Sequence, residues 1–233
     1  MATIIEQQTV RDEEKTFADL AVFVKPPLST DRLTFEQARK VAAGASFELI
    51  DGKIVLKGAE DKHADAHGLL CGLLGQYFLT NPIGCVRLSF TLRLPLDNPY
   101  EARTPDLSVI LNENLMEERY GSRAPDLAIE ILSRDDDRNA LFEKAKLYLA
   151  NGSRVVWIAD PYQKAVMVIT PQGRQWVTEV LTCQELLPGF AVNVEDIFAW
   201  PAGANGGGMN PAPVITKKCL VLSRCAYYIS KAK

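Results

Sequence analysis

Apolar and polar positions change period several times along the chain, and each change marks an element. From Asp61 to Thr80, apolar residues recur at Leu70, Leu73, Leu74, Tyr77 and Phe78. Steps of three and four place them on one side of a helix, so a long amphipathic helix is predicted here, closed by Asn81-Pro82. Ahead of it, Phe47-Glu48-Leu49-Ile50 and Lys53-Ile54-Val55-Leu56 are apolar runs joined by Asp51-Gly52. Asp-Gly suits a type I′ turn, whose two central residues need positive φ, and a β-hairpin follows. Thr34, with Gln37 three residues on, resembles a capping box that opens a short helix running to Gly44.

Downstream the pattern predicts strands over 85–94, 106–111 and 127–132. Asp135-Asp136-Asp137 suits a helix N-terminus by capping and by the helix dipole, and that helix is expected to reach Ala150 before Asn151-Gly152 stops it. A buried-type strand at 155–159 and a hairpin of 164–170 with 174–180 come next, and apolar segments at 186–190 and 194–198 complete the body. This order of elements predicts an α/β (α+β mixed) fold, a mixed β-sheet flanked by helices with an additional N-terminal β-hairpin. The step from the 127 strand through one helix to the 155 strand should be a right-handed crossover.

Composition sets the boundaries of this body. Residues 1–30 mix charge with Pro26-Pro27 and read as an N-terminal arm, 31–200 as the folded domain, and 201–233 as a Gly-rich linker with an apolar and basic tail. After Pro201 there are five basic residues and no acidic one, against a whole-chain formal charge of −3, so residues 1–200 carry about −8. Such a body does not attract nucleic acid at long range, which weighs against DNA-acting functions unless a groove is locally basic. The chain has no run of some 20 apolar residues to span a bilayer and no signal-peptide pattern at its start, so a cytoplasmic protein is expected. Its five scattered cysteines form no C-x-x-C pair and read as reduced thiols.

Candidate chemistry lies where two strands meet. Alternation puts Leu107, Val109 and Leu111 on one face of their strand and Asp106 with Ser108 on the other. In the next strand Leu127, Ile129 and Ile131 share a face, opposite Asp126, Ala128 and Glu130. No strong helix joins the two, so antiparallel pairing is expected, which makes Asp106 and Glu130 neighbours and leaves Asp126 roughly 13 Å away. Adjacent carboxylates among apolar strands repel unless a cation or a proton sits between them, and oxygen ligands of this kind suit Mg²⁺ or Mn²⁺; the alternative is that one or both cap strand ends or face solvent. His63 and His67 stand four apart on the long helix, but a third ligand and the H-E-x-x-H pattern of a zinc site are missing. Arg87, Arg93 and Arg103 are candidate phosphate contacts, whereas Trp157 and Asp160 read as structural.

Pro105-Asp106 on one strand, Glu130 on the next and a lysine shortly after resemble the PD-(D/E)XK nuclease superfamily, the restriction-endonuclease-like fold. More closely, residues 47–198 resemble the Uma-two family of endonuclease-like proteins. The matching pieces are Phe47 to Gly52, Pro105-Asp106-Leu107-Ser108-Val109, and Pro125 to Ser133 with Glu130. Glu143-Lys144 with Leu147-Tyr148, and Val156-Trp157-Ile158-Ala159-Asp160-Pro161, complete them. One departure concerns the general motif, whose lysine stands two residues after the Glu, where this chain has Leu132. The resemblance instead implies a migrated lysine on the next helix, at Lys144; helical spacing alone does not choose between Lys144 and Lys146. It also implies a metal contribution from Glu48 and from the Ile131 backbone carbonyl, and an accessory phosphate contact from His67. Together these imply a Mg²⁺- or Mn²⁺-dependent DNA endonuclease with Asp106, Glu130 and Lys144 as catalytic residues, for which a homodimer is expected because a symmetric pair suits a two-fold duplex. Two alternatives stay open: a catalytically idle nuclease-fold binding or assembly module, and a hydrolase of a small phosphoester.

Overall fold

The computed structural model describes residues 32–56, 60–115 and 120–199. The N-terminal arm and the 201–233 tail lie outside them. Helix α1 (Phe35–Val41) opens with the expected capping box, in which Thr34 and Gln37 satisfy each other's backbone donors. Strands β1 (Glu48–Ile50) and β2 (Lys53–Val55) form the hairpin. Its turn has Asp51 at φ 50° and Gly52 at φ 75°, the geometry that the Asp-Gly pair predicts.

Helix α2 (Asp61–Thr80) leads into a six-stranded sheet. The sheet comprises β3 (Gly84–Leu88), β4 (Leu107–Leu111), β5 (Leu127–Ile131), β6 (Val155–Asp160), β7 (Ala165–Thr170) and β8 (Gly173–Val177), in that spatial order. Only β5 and β6 run parallel, and helix α3 (Arg138–Ala150) connects them; every other neighbouring pair is antiparallel. Small strands β9 (Val180–Thr182) and β10 (Ala191–Asn193) pair beside it, and α4 (Val194–Ile197) follows.

The two sheet faces have different partners. Leu107, Val109, Leu127, Ile129, Ile131 and Trp157 pack under Leu70 and Leu74 of α2. Each fully buried leucine there contributes roughly 1.5–3 kcal/mol. Ala128 and Val156 face the other way, onto Ala145 and Tyr148 of α3. A third cluster, Phe35, Ala38, Phe47, Leu49 and Ala102, docks α1 and the hairpin beside the sheet. Leu49 and Ala102 exchange backbone hydrogen bonds of 2.9 Å, which lock β1 to the segment leading into β4.

Two strand boundaries differ from expectation. The 85–94 strand ends at Leu88, because Ser89 adopts φ 45° and turns its N–H to the Asp106 carbonyl. The chain resumes pairing only at Leu92, opposite Arg103 and Gly121. The 174–180 strand ends at Val177, and Val180 starts a separate strand, with Leu181 buried in the main core and its backbone paired to β10.

Asp126 stands away from the Asp106 and Glu130 pair, as expected, and has a structural role. Its buried carboxylate accepts from the Leu111 N–H at 2.9 Å and from the Asn114 side-chain amide at 2.7 Å. Asp126→Ala should therefore cost roughly 2–4 kcal/mol by leaving buried donors unmet, read as a lower urea midpoint, with Asp106 and Glu130 undisturbed.

Candidate active site

The antiparallel register sets Leu107 against Ile129 and Ser108 against Ala128, so the next position places Asp106 opposite Glu130. Both lie on the α3 side of the sheet, at the end where β4 begins and β5 finishes. Asp106 extends the ladder with its side chain, its Oδ2 accepting the Ile131 N–H at 2.7 Å.

Helix α3 supplies the cation. Leu141, Lys144, Ala145 and Tyr148 follow the i, i+3, i+4, i+7 spacing of one helical face. Leu141, Ala145 and Tyr148 are buried against the sheet, and this packing fixes the rotation of the helix. Lys144 is thereby carried inward with its side chain 14% exposed, while Lys146 points out at 71% and pairs with Glu143. The Lys144 Nζ lies 2.8 Å from Glu48 Oε1 and 3.5 Å from Glu130 Oε2.

Glu48 arrives from the hairpin, held by the chain just before β4. Its Oε1 accepts the Thr104 N–H at 3.2 Å, and the Thr104 hydroxyl donates to the Phe47 carbonyl at 2.7 Å. Glu48, Asp106 and Glu130 are each 2–4% exposed. With Ile131, Lys144 and His63 they line a cleft of about 430 Å³, whose rim adds Glu60, Asp135 and Asp136. A larger hollow of about 590 Å³, lined by Lys62, Asp65, Lys164, Glu195 and Asp196 among others, contains none of the Glu48, Asp106, Glu130 and Lys144 network.

Both histidines reach Asp106, by different atoms. His67 Nε2 stands 3.0 Å from the Asp106 backbone carbonyl; because a carbonyl only accepts, the ring donates there as Nε2–H. One turn earlier, His63 Nε2 stands 3.2 Å from Asp106 Oδ2 and borders the cleft. The arginines weighed as phosphate contacts lie elsewhere. Arg87 covers the Phe90 ring, Arg93 covers Phe35, and Arg103 donates to the Leu49 carbonyl. Trp157 stacks on Phe190 in the core, and Asp160 caps the Tyr162 and Gln163 N–H groups while pairing with Arg138, so both are structural.

Sequence reasoning missed Tyr148. Its buried hydroxyl donates to Glu130 Oε1 at 2.7 Å. A tyrosine on an inward helical face must find a polar partner, and the spacing of four from Lys144 pointed to these carboxylates.

A family profile described as "Putative restriction endonuclease", Uma2, matches residues 33–195. The chain belongs to the Uma2 family. The match takes in α1 through β10 and every cleft residue named above. Among solved structures, this Uma2 chain is similar to a "putative nuclease belonging to DUF820" from Anabaena variabilis ATCC 29413, with a TM-score of 0.61 and 21% identity. The alignment covers 71% of this chain and 97% of that one. A likeness at that identity carries the fold, a nuclease-type mixed sheet between helices. No curated protein matches the chain.

Three buried carboxylates line the Uma2 cleft, two of them beside Lys144, and they are oxygen donors of the kind that hard divalent cations take. Among the described residues no group of three His, Cys, Asp or Glu side chains stands close enough together to hold a metal ion as arranged. Lys144 sits between Glu48 and Glu130, and Asp106 is bonded toward Ile131 and His63. Burial, then the charges of Glu130, Glu48 and Asp106, push the Tyr148 phenol well above its ordinary range.

This shift has a testable sign. The unfolded phenol releases its proton near pH 10.0, whereas the folded one keeps it. Its contribution to stability is thus complete below pH 10 and shrinks above it, by about 1.4 kcal/mol per pH unit. The stability advantage of wild type over Tyr148→Phe in urea should therefore decline from about pH 9 to about pH 11; parallel curves would contradict it.

Proposed function

We propose that this Uma2 protein hydrolyses phosphodiester bonds in DNA with a divalent cation, Mg²⁺ or Mn²⁺. The observation that carries the reading is the convergence of Glu48, Asp106 and Glu130 in one cleft, with Lys144 between Glu48 and Glu130. Buried like charges are costly unless cations or protons offset them, and a divalent cation among these carboxylates would do so. The donor chemistry fits a hard cation held by Asp106, Glu130 and Glu48, with the Ile131 backbone carbonyl. Bound there, such an ion would polarise the phosphoryl oxygen and lower the pKa of a coordinated water.

The chain's own residues supply the rest. The Ile131 N–H and His63 fix the Asp106 carboxylate. Lys144 orients the attacking water and stabilises the charge that develops on the phosphoryl oxygens. Its position between two carboxylates holds the ammonium in the cleft. Lys144 reaches this place from α3, doing the work that the general nuclease motif gives to the position held here by Leu132.

A second reading, hydrolysis of a small phosphoester, is favoured by the acidic rim of Glu60, Asp135 and Asp136, which does not attract a polyanion. Plasmid nicking with Mg²⁺, Mn²⁺ or EDTA tests the first reading, and an aryl phosphodiester substrate tests the second. Metal-dependent nicking by wild type is expected, undetectable in Asp106→Ala and lowered about 10²–10³-fold in Lys144→Ala. Unchanged nicking by a folded Asp106→Ala protein would remove the assignment.

A further inference from the structure

We propose that Tyr148 is a positioning residue for the metal-binding carboxylates, acting through Glu130. The inference rests on the function proposed above. It starts from the division of the Glu130 carboxylate between two neighbours on one helical face: Oε1 accepts from the Tyr148 hydroxyl at 2.7 Å, and Oε2 stands 3.5 Å from the Lys144 ammonium. A carboxylate has two nearly equivalent oxygens and rotates freely at its last torsion. A hydrogen bond to one oxygen ends that freedom and sets the direction in which the other presents itself.

The surroundings make Tyr148 a fixed reference. Its ring is fully buried, in the cluster formed by Ala128, Ala145 and Val156, so the phenol oxygen cannot move without disturbing the packing of α3 on the sheet. Ala128 lies two residues before Glu130 on the same strand face, where its small side chain leaves room for the ring. Lys144 stands one turn before Tyr148, so a single helix sets these two neighbours of Glu130 at once. An oxygen held in place for the cation loses less freedom on binding it, and outer partners of metal-binding groups typically contribute 10–100-fold to affinity. Phenylalanine would fill the same space and remove the bond that fixes Oε1.

The test is Mn²⁺ binding by calorimetry, with no DNA present, for the full chain and Tyr148→Phe, with circular dichroism to establish folding. The expected result is a folded variant whose Mn²⁺ dissociation constant rises about tenfold or more. The metal concentration for half-maximal nicking should rise in step. The effect should also vanish in a Glu130→Gln background, where the carboxylate it acts through is gone. If Tyr148→Phe does not fold, two replacements that fill the phenol's space take its place. p-Aminophenylalanine keeps a donor and should bind Mn²⁺ near the wild-type constant, whereas p-methylphenylalanine has none and should bind as weakly as expected for the loss of the bond. Equal Mn²⁺ affinity in wild type and the donor-free variant overturns the proposal and leaves the proposed function standing. A wild-type chain that takes up no Mn²⁺ overturns both.

Discussion

Three carboxylates drawn out of water into one cleft, two of them beside the Lys144 ammonium, constitute the constraint on which this end of the molecule is built. Glu48, Asp106 and Glu130 come from three different strands or strand ends, and each is almost wholly buried. Bringing them together opposes both desolvation and mutual repulsion. Hydrogen bonds and one cation compensate in part. Thr104 serves Glu48, Ile131 and His63 serve Asp106, and Tyr148 serves Glu130, while Lys144 lies between two of the three. A buried cluster of charge of this kind in a cleft is the physical ground for the proposed hydrolase site.

The architecture around it serves this convergence. Antiparallel pairing of β4 and β5 makes Asp106 and Glu130 neighbours, and the parallel step to β6 requires a helix to cross back over the same face. That helix, α3, lands Lys144 and Tyr148 above Glu130. On the opposite face α2 closes the core, and its first turns bring His63 and His67 to the side chain and the backbone of Asp106. The hairpin is the remaining support, and it is fixed by a small separate cluster and by backbone bonds to Ala102. The Uma2 match spans all of these parts, from α1 to β10.

Much of this was legible in the sequence because it is local. Period-two alternation and a connection without a strong helix placed Asp106 beside Glu130 and set Asp126 apart. The Asp-Gly turn, the capping box at Thr34 and the stripe on α2 each read correctly from neighbouring residues. What stayed illegible depends on contacts distant in sequence. Choosing Lys144 over Lys146 needs the phase of α3, which Leu141, Ala145 and Tyr148 set by packing on a sheet that the helical wheel does not contain. Glu48 joins the site through the Leu49–Ala102 and Thr104 contacts, more than 50 residues along the chain. Ser89 ends its strand with a positive φ that nothing in an apolar run announces. Of the two histidines, only the placement of α2 in the fold decides which reaches a carboxylate and which a carbonyl.

The most direct test of the central claim is a crystal of the wild-type chain soaked in Mn²⁺, read by anomalous scattering. A manganese peak bonded to the Asp106 and Glu130 carboxylates, with Lys144 beside it, is the predicted result. Full occupancy elsewhere with no peak between those carboxylates, in a protein that still cleaves DNA with Mn²⁺, would contradict the account.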